Sequence, residues 1–251
     1  MEIFAFIIVA TPLFIWSVLF LIECGVAMLG PWAKKTGCEE VFAHYIGPVW
    51  ETTNVFLVFA LVALMAFFPG ALPVWSAALI VPFFLFLAAM GIRALGMLMV
   101  FYGGENKHPA GAWTLALGGL LAPAVFAGEI VSYFMTGAAP FSTASLPIQI
   151  GFAAFAAGGA LILASSYFGY VSRRMSAIPL TATLIGFIAF FVAMTMRQYP
   201  YIVYPSLDVS SVFAASAVAD PIFAISVVGA VITLPAVAWL LSLFAFRSRR
   251  K

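Results

Sequence analysis

The chain has 251 residues, of which 65% are hydrophobic and only 8% are charged, and its formal net charge is +2. A soluble domain has about 25% charged residues, so this composition excludes a water-soluble globular protein and predicts an integral membrane protein. The few basic residues form no broad patch in the sequence, which argues against a nucleic-acid partner.

Hydropathy over windows of about 19 residues predicts seven transmembrane helices, and therefore an all-α, polytopic membrane protein. In chain order the predicted spans are Ile3–Leu29, Thr52–Phe68, Leu72–Tyr102, Trp113–Met135, Pro147–Val171, Ala177–Met196 and Pro221–Phe246. We interpret residues 1–251 as a single transmembrane domain, with a four-helix part at residues 1–136 and a three-helix part at residues 137–251.

The basic residues predict the orientation of the chain. Nine of the eleven Lys and Arg residues fall in loops on one side of the predicted spans. These nine are Lys34, Lys35, Lys107, Arg173, Arg174, Arg247, Arg249, Arg250 and Lys251. Because cytoplasmic loops are enriched in Lys and Arg, we expect the N-terminus outside and the C-terminus in the cytoplasm.

Three ionisable residues, Glu23, Glu51 and Arg93, lie within or at the edge of the first three spans. At a rise of about 1.5 Å per residue, all three fall near the cytoplasmic edge of the hydrocarbon, which predicts one shared polar site. Arg93 has long apolar stretches on both sides and needs an acidic partner, so we predict a structural ion pair. A second acid would then remain free to handle protons. The alternative is that Glu23 and Glu51 are interfacial side chains that reach water.

The stretch "WETTN" at the predicted start of the second helix has more polar residues than a simple membrane anchor needs, which suggests a site of proton entry. Trp50 is placed at interface depth, where an indole is favourable. Glu51 follows it, and Asn54 lies one turn further on the same helix face. The polar stripe then ends at Val55 and Phe56, so a proton route through Glu51 and Asn54 has to continue in a neighbouring helix or a partner chain.

Cofactor ligands are scarce in the sequence. His44 precedes the second predicted span and His108 falls in a loop, so neither lies within a predicted helix. Methionine in a membrane helix is usually a packing residue, and membrane haems usually have axial ligands on transmembrane helices. We therefore expect no haem and no metal in this chain.

Glu129 and Arg197 both fall toward the outer side, where an ion pair between them is one alternative.

Several segments, in order, resemble subunit II of cytochrome bd-type quinol oxidases. They are "IECGVAML", "GPVWETTNVFLVFALVALMAFFPGALPVWSAAL", "MGIRALGM", "YPYIVYPS", "AVAD" and "ITLPAVAW". The resemblance extends over roughly residues 20–100 and 180–245. It places Glu51 where the family usually has an Asp implicated in proton entry, with Trp50 as the matching Trp before it. It also places Glu23 at an Asp of the first helix, and Arg93 at the family's Arg.

The chain departs from the family pattern at three points. Val49 replaces a residue that is often His, and Phe56 replaces one that is often Trp. The family usually has nine spans, and here a helical hairpin is missing between the fifth and sixth segments. The two substitutions leave open whether the inner part of the family's proton route is present.

The resemblance implies a cofactor-free, non-catalytic subunit of a quinol:oxygen oxidoreductase in the cytoplasmic (inner) membrane of a prokaryote. Its partner, subunit I, would carry two b-type haems, usually a d-type haem, and the quinol site. This chain would stabilise subunit I and contribute a cytoplasmic proton-entry route. Small single-span subunits are further implied partners, and a lipid or quinone between the helices is left open. Two alternatives remain: a stand-alone proton-coupled transporter, or a membrane anchor of another respiratory complex.

We further expect the partner to contact the first three helices, where small residues allow close approach. These residues are Gly25, Ala27, Ala88, Ala89, Gly91 and Ala94.

Overall fold

The computed structural model describes residues 2–32, 39–102, 109–171 and 175–245. For residues 39–52, 101–102, 109, 171, 216–217, 233–234, 237–238 and 240–245 it describes the backbone alone.

The described chain is almost entirely helical. The helices are α1 (Glu2–Leu29), α2 (Glu39–Phe67), α3 (Leu72–Tyr102), α4 (Pro109–Val125), α5 (Ser132–Thr136), α6 (Leu146–Val171), α7 (Ala177–Gln198), α8 (Val209–Val212) and α9 (Ser216–Ala245). A π-helical segment, Phe126–Val131, joins α4 to α5 without a break. Two short antiparallel strands, β1 (Tyr201–Val203) and β2 (Leu207–Asp208), form a hairpin between α7 and α8.

Five stretches of the described chain are long and apolar enough to cross a membrane. They are Glu2–Trp32, Pro69–Val100, Ala110–Thr136, Leu146–Tyr170 and Ala177–Gln198. The described apolar parts of α2 and α9, Thr53–Phe67 and Val218–Ile232, are shorter. The chain is therefore an all-α, polytopic membrane protein, as its composition predicts.

The predicted start of the second helix is wrong. Helix α2 begins at Glu39 and not at Thr52, so Trp50 and Glu51 lie inside the helix and not at its first turn. His44 also lies within the helix, contrary to the prediction that no histidine does. Hydropathy detects only the apolar part of a helix, and the turns between Glu39 and Glu51 carry polar and charged residues.

Helix α1 lies at the centre of the bundle and packs against α2, α4 and α6. Its eight residues from 20 to 27 are all buried. Glycines bring the helices close: a Cβ on Gly25 would lie 2.0 Å from the carbonyl oxygen of Ala160 in α6, and one on Gly119 in α4 would lie 2.7 Å from the Cβ of Ala27. Helix α3 packs along α4, α7 along α6 and α9 along α2.

This packing corrects the predicted partner surface. Gly25, Ala27 and Ala89 are buried within the chain itself, because their small side chains allow its own helices to approach. Ala88 and Gly91 on α3 are exposed, and a Cβ on Gly91 would meet no atom within 4 Å. Of the small residues, Ala88 and Gly91 therefore remain available for a neighbouring chain.

The β-hairpin and α8 together form a cap, residues 199–212, over one end of the bundle. The Tyr204 N–H donates to the Phe134 carbonyl at 3.0 Å, and the Gln198 side-chain amide donates to the Phe134 carbonyl at 2.9 Å and the Ile202 carbonyl at 2.8 Å. We refer to this end as the hairpin end.

The suggested pair between Glu129 and Arg197 is not formed. The Glu129 carboxylate accepts a hydrogen bond from the Phe141 N–H at 2.9 Å, and Arg197 is exposed. Glu129 lies in the π-helical segment, and its carboxylate binds the backbone of the loop after α5 and not the end of α7.

Candidate functional site

A buried ion pair joins α1 to α3 near the end of the bundle opposite the cap. The Arg93 Nη2 lies 2.5 Å from the Glu23 Oε2, and each side chain is only 2% exposed. Both residues are surrounded by apolar helices, so neither charge has access to bulk solvent. A pair of this kind is retained only when further hydrogen bonds satisfy the remaining polar atoms.

Those further contacts come from α1 and α2. The Thr53 hydroxyl donates to the Glu23 Oε1, so both carboxylate oxygens have partners. The Arg93 Nη1 donates to the Cys24 Sγ at 3.2 Å, and the guanidinium carbon lies 5.9 Å from the centre of the Phe20 ring. The second contact is in the range of a cation–π interaction. We name these five residues the three-helix clamp.

Helical spacing explains how the clamp is built. Phe20, Glu23 and Cys24 stand at positions i, i+3 and i+4 of α1 and therefore share one face. On α2, Thr53 is the first of the described side chains in a series of buried residues spaced three or four apart. The series continues with Phe56, Ala60, Ala63 and Phe67.

Glycine in α4 allows α3 to carry Arg93 into this position. A Cβ on Gly118 would lie 2.4 Å from the backbone nitrogen of Arg93, which is far closer than two packed atoms can approach. The two helix backbones can pack at this distance because Gly118 has no side chain.

The arrangement is suited to holding helices together. Both oxygens of the Glu23 carboxylate are engaged and its side chain is only 2% exposed. Breaking a buried pair of this kind costs several kcal/mol. The clamp connects three helices that are well separated in sequence, since its members come from positions 20–24, 53 and 93.

The other predicted site residues lie on the same stretch of α2. Asn54 is half-buried and directly follows Thr53. Trp50 and Glu51 belong to the described backbone of α2, but their side chains are outside the described part of the structure. Since an α-helix turns about 100° per residue, Asn54 stands between Glu51 and Thr53 around the helix axis.

Sequence reasoning missed three members of the clamp: Phe20, Cys24 and Thr53. The signal for the first two is their i−3 and i+1 spacing from Glu23. Thr53 gives a weaker signal, because Thr52 and Asn54 beside it are also polar and nothing local distinguishes the buried one.

Within the residues described, no group of three or more His, Cys, Asp and Glu side chains is arranged to hold a metal ion. The side chain of His44 lies outside that part of the structure.

Comparison with known proteins gives two matches. The family model described as cytochrome bd terminal oxidase subunit II matches residues 1–169, which include every member of the clamp. A curated protein of Bacillus subtilis (strain 168), named "Putative cytochrome bd menaquinol oxidase subunit II", is 34% identical over 86 residues. That alignment covers 34% of this chain and 24% of the Bacillus protein, so the matched region is about a quarter of the length of that relative.

Proposed function

This chain belongs to the cytochrome bd terminal oxidase subunit II family, and from that membership we propose that it is the haem-free accessory subunit of a bd-type quinol:oxygen oxidoreductase. Membership of the family implies a complex with a catalytic subunit I. On our proposal subunit I holds the b-type and d-type haems, oxidises the quinol and reduces oxygen to water. The complex lies in the cytoplasmic membrane of a prokaryote, with the C-terminus of this chain in the cytoplasm.

The name of the Bacillus relative makes menaquinol the first quinol to test. The purified complex should oxidise a reduced menaquinone analogue with uptake of oxygen. If the tagged chain purifies from its own membranes without a haem-bearing subunit, and its deletion leaves quinol oxidation unchanged, the accessory role is wrong.

The buried Glu23–Arg93 pair is the single observation that carries a structural role for this chain. The clamp sets how α1, α2 and α3 are arranged. On our proposal, α3 then presents its exposed small residues Ala88 and Gly91 to subunit I. Stabilising subunit I would follow from the rigidity of that surface.

The second part of the proposal concerns proton entry from the cytoplasm. Glu23 is occupied by Arg93 and Thr53, so Glu51 is the remaining acid of the predicted polar site. We propose that Glu51 takes up protons and that Asn54, next to it around α2, continues the polar path. Phe56, two residues after Asn54, is buried, so on our proposal the path leaves this helix there and enters subunit I.

The decisive variants are Glu51→Gln and Glu51→Asp in the assembled complex. Glu51→Gln keeps the shape but loses the exchangeable carboxyl proton. A positioned acid or base contributes roughly 10²–10⁴-fold to a proton transfer, so we expect at least a tenfold loss of quinol-driven oxygen consumption with normal haem content. Glu51→Asp should retain much of the rate.

Glu129→Gln is the matched control, because Glu129 is a half-buried acid of a different span whose oxygen accepts a hydrogen bond that an amide oxygen can also accept. It should respire at the parent rate. Normal haem content together with the parent rate in Glu51→Gln would exclude Glu51 from proton entry while leaving the accessory role intact.

A further inference from the structure

A large apolar cavity of about 600 Å³ lies between the helices, and Phe20 of the clamp is part of its lining. Side chains from α1, α2, α3, α6 and α7, together with the segment from α4 to α5, line it. Nearly all of the lining is aliphatic or aromatic, and the volume is in the range of small-molecule sites. Ile202 of the β-hairpin also lines the cavity, which therefore extends to the hairpin end.

Four of the polar residues of the lining lie at that end, and Trp16 and Ser17 of α1 lie deeper. Ser76 and Trp75 lie in the first two turns of α3, and Thr195 and Gln198 lie in the last turn of α7. The hydroxyl donors of Ser76 and Thr195 are used by carbonyls of their own helices, and the Gln198 amide binds two backbone carbonyls.

Trp75 is the exception among these polar groups. Its side chain is only 7% exposed, and its indole N–H has no hydrogen-bond partner. A buried N–H without an acceptor is unfavourable. The group is therefore suited to a ligand that brings an acceptor oxygen to the hairpin end of the cavity.

We propose that this cavity binds one acyl chain of a membrane phospholipid, with an ester carbonyl of the lipid accepting a hydrogen bond from Trp75. The distribution of polarity matches such a molecule, because an unpartnered donor lies near the helix ends and most of the deeper lining is apolar. Trp75 is three residues into α3, so it lies within roughly 5 Å of the start of the helix, where the ester groups of a leaflet are found.

The depth of the unpartnered donors also distinguishes a bound phospholipid from a ligand whose polar headgroup lies deep in the membrane. Trp16, fully buried, lines the cavity and also has an unpartnered N–H. It stands fourteen residues after Glu2, roughly 20 Å along α1. A quinone ring bound at Trp16 would need its polar end at the middle of the membrane. At that depth the Ser17 hydroxyl donates to the Leu13 carbonyl, and most of the lining is apolar.

Two glycines of α6 provide a matched pair of variants. A Cβ on either Gly159 or Gly151 would meet no atom within 4 Å. Gly159 lines the cavity and Gly151 does not. Gly159→Leu should therefore place a side chain into the cavity without displacing protein atoms, and Gly151→Leu should place the same side chain outside it.

The experiment is to purify the oxidase complex carrying each variant in mild detergent and to measure bound phospholipid by native mass spectrometry and by extraction. The parent and Gly151→Leu should retain about one phospholipid per copy of this chain, and Gly159→Leu should lose it. Trp75→Phe keeps the ring but removes the donor, and should release the lipid roughly fivefold more readily, as expected for one net hydrogen bond. Phosphatidylglycerol added back to delipidated complex should rebind to the parent but not to Gly159→Leu.

Three results would overturn the proposal. They are equal phospholipid retention in both leucine variants, no phospholipid in the parent, and a quinone at one equivalent in its place. If Gly159→Leu does not assemble, Trp75→Phe decides alone, and parent-like retention in it rejects the proposed hydrogen bond.

Discussion

The Glu23–Arg93 pair leads to a quantitative prediction about assembly. Arg93→Met keeps a long side chain but removes the positive charge. It leaves the Glu23 carboxylate buried, with the Thr53 hydroxyl still donating to it. Glu23→Gln does the reverse and removes the carboxylate that lies 2.5 Å from the buried guanidinium. The double variant, Glu23→Gln with Arg93→Met, removes both charges together.

The expected magnitudes follow from the burial of both groups. Removing one partner of a buried ion pair costs about 3–5 kcal/mol, because the other charge is left without compensation in a low-dielectric surrounding. Replacing both partners by neutral groups of similar size is often close to neutral. We therefore expect each single variant to lose about 3–5 kcal/mol of stability and the double variant to recover most of that loss.

The assay is a double-mutant cycle on the free energy of unfolding of the purified complex in detergent, together with the amount of assembled, haem-containing complex in membranes. Oxygen consumption per haem should change far less than the amount of complex, because the clamp supports the fold and does not take part in the chemistry. Gln149→Leu serves as a control, since Gln149 is also buried and polar but lies in α6 outside the clamp. If the single variants are as stable as the parent, or if their losses simply add in the double variant, the pair does not hold the helices together.

Three further predictions concern individual positions. Thr53→Val removes the hydroxyl that donates to the buried carboxylate and should cost about 1.5–3 kcal/mol. Thr114→Val, at a half-buried threonine whose hydroxyl donates to its own helix, should cost little, and equal effects of the two variants on the melting temperature would contradict this. Gly118→Ala places a Cβ 2.4 Å from the backbone nitrogen of Arg93 and should cost at least about 1–3 kcal/mol of stability. In the control Gly186→Ala the new Cβ meets no atom within 4 Å, so this variant should be as stable as the parent or more stable. Parent-like stability of Gly118→Ala would show that α3 and α4 are less tightly packed. The chain expressed without subunit I should bind no haem, and a stoichiometric Soret band in that preparation would refute the expectation.

The family and the class of fold were both accessible from the sequence. A folded chain of this length cannot bury so many apolar residues away from water, so composition alone implies a membrane protein. The ordered segments from "IECGVAML" to "MGIRALGM" predict the subunit II family, and the match over residues 1–169 confirms it. The start of α2 was not accessible in the same way, because a helix that extends beyond the apolar region has no hydropathy signal there.

The sequence by itself also determined that Arg93 needs an acid, since a guanidinium in a long apolar helix is too costly unpaired. Only the tertiary structure decided that Glu23 forms an ion pair with Arg93. Glu23 and Glu51 have similar predicted depths, and the choice depends on which faces of α1, α2 and α3 meet. Helices that are apolar on every side carry no periodic pattern that reveals those faces. The faces are set instead by where Gly25, Gly118 and Gly119 let the backbones approach, which is a property of the packed bundle and not of any one helix.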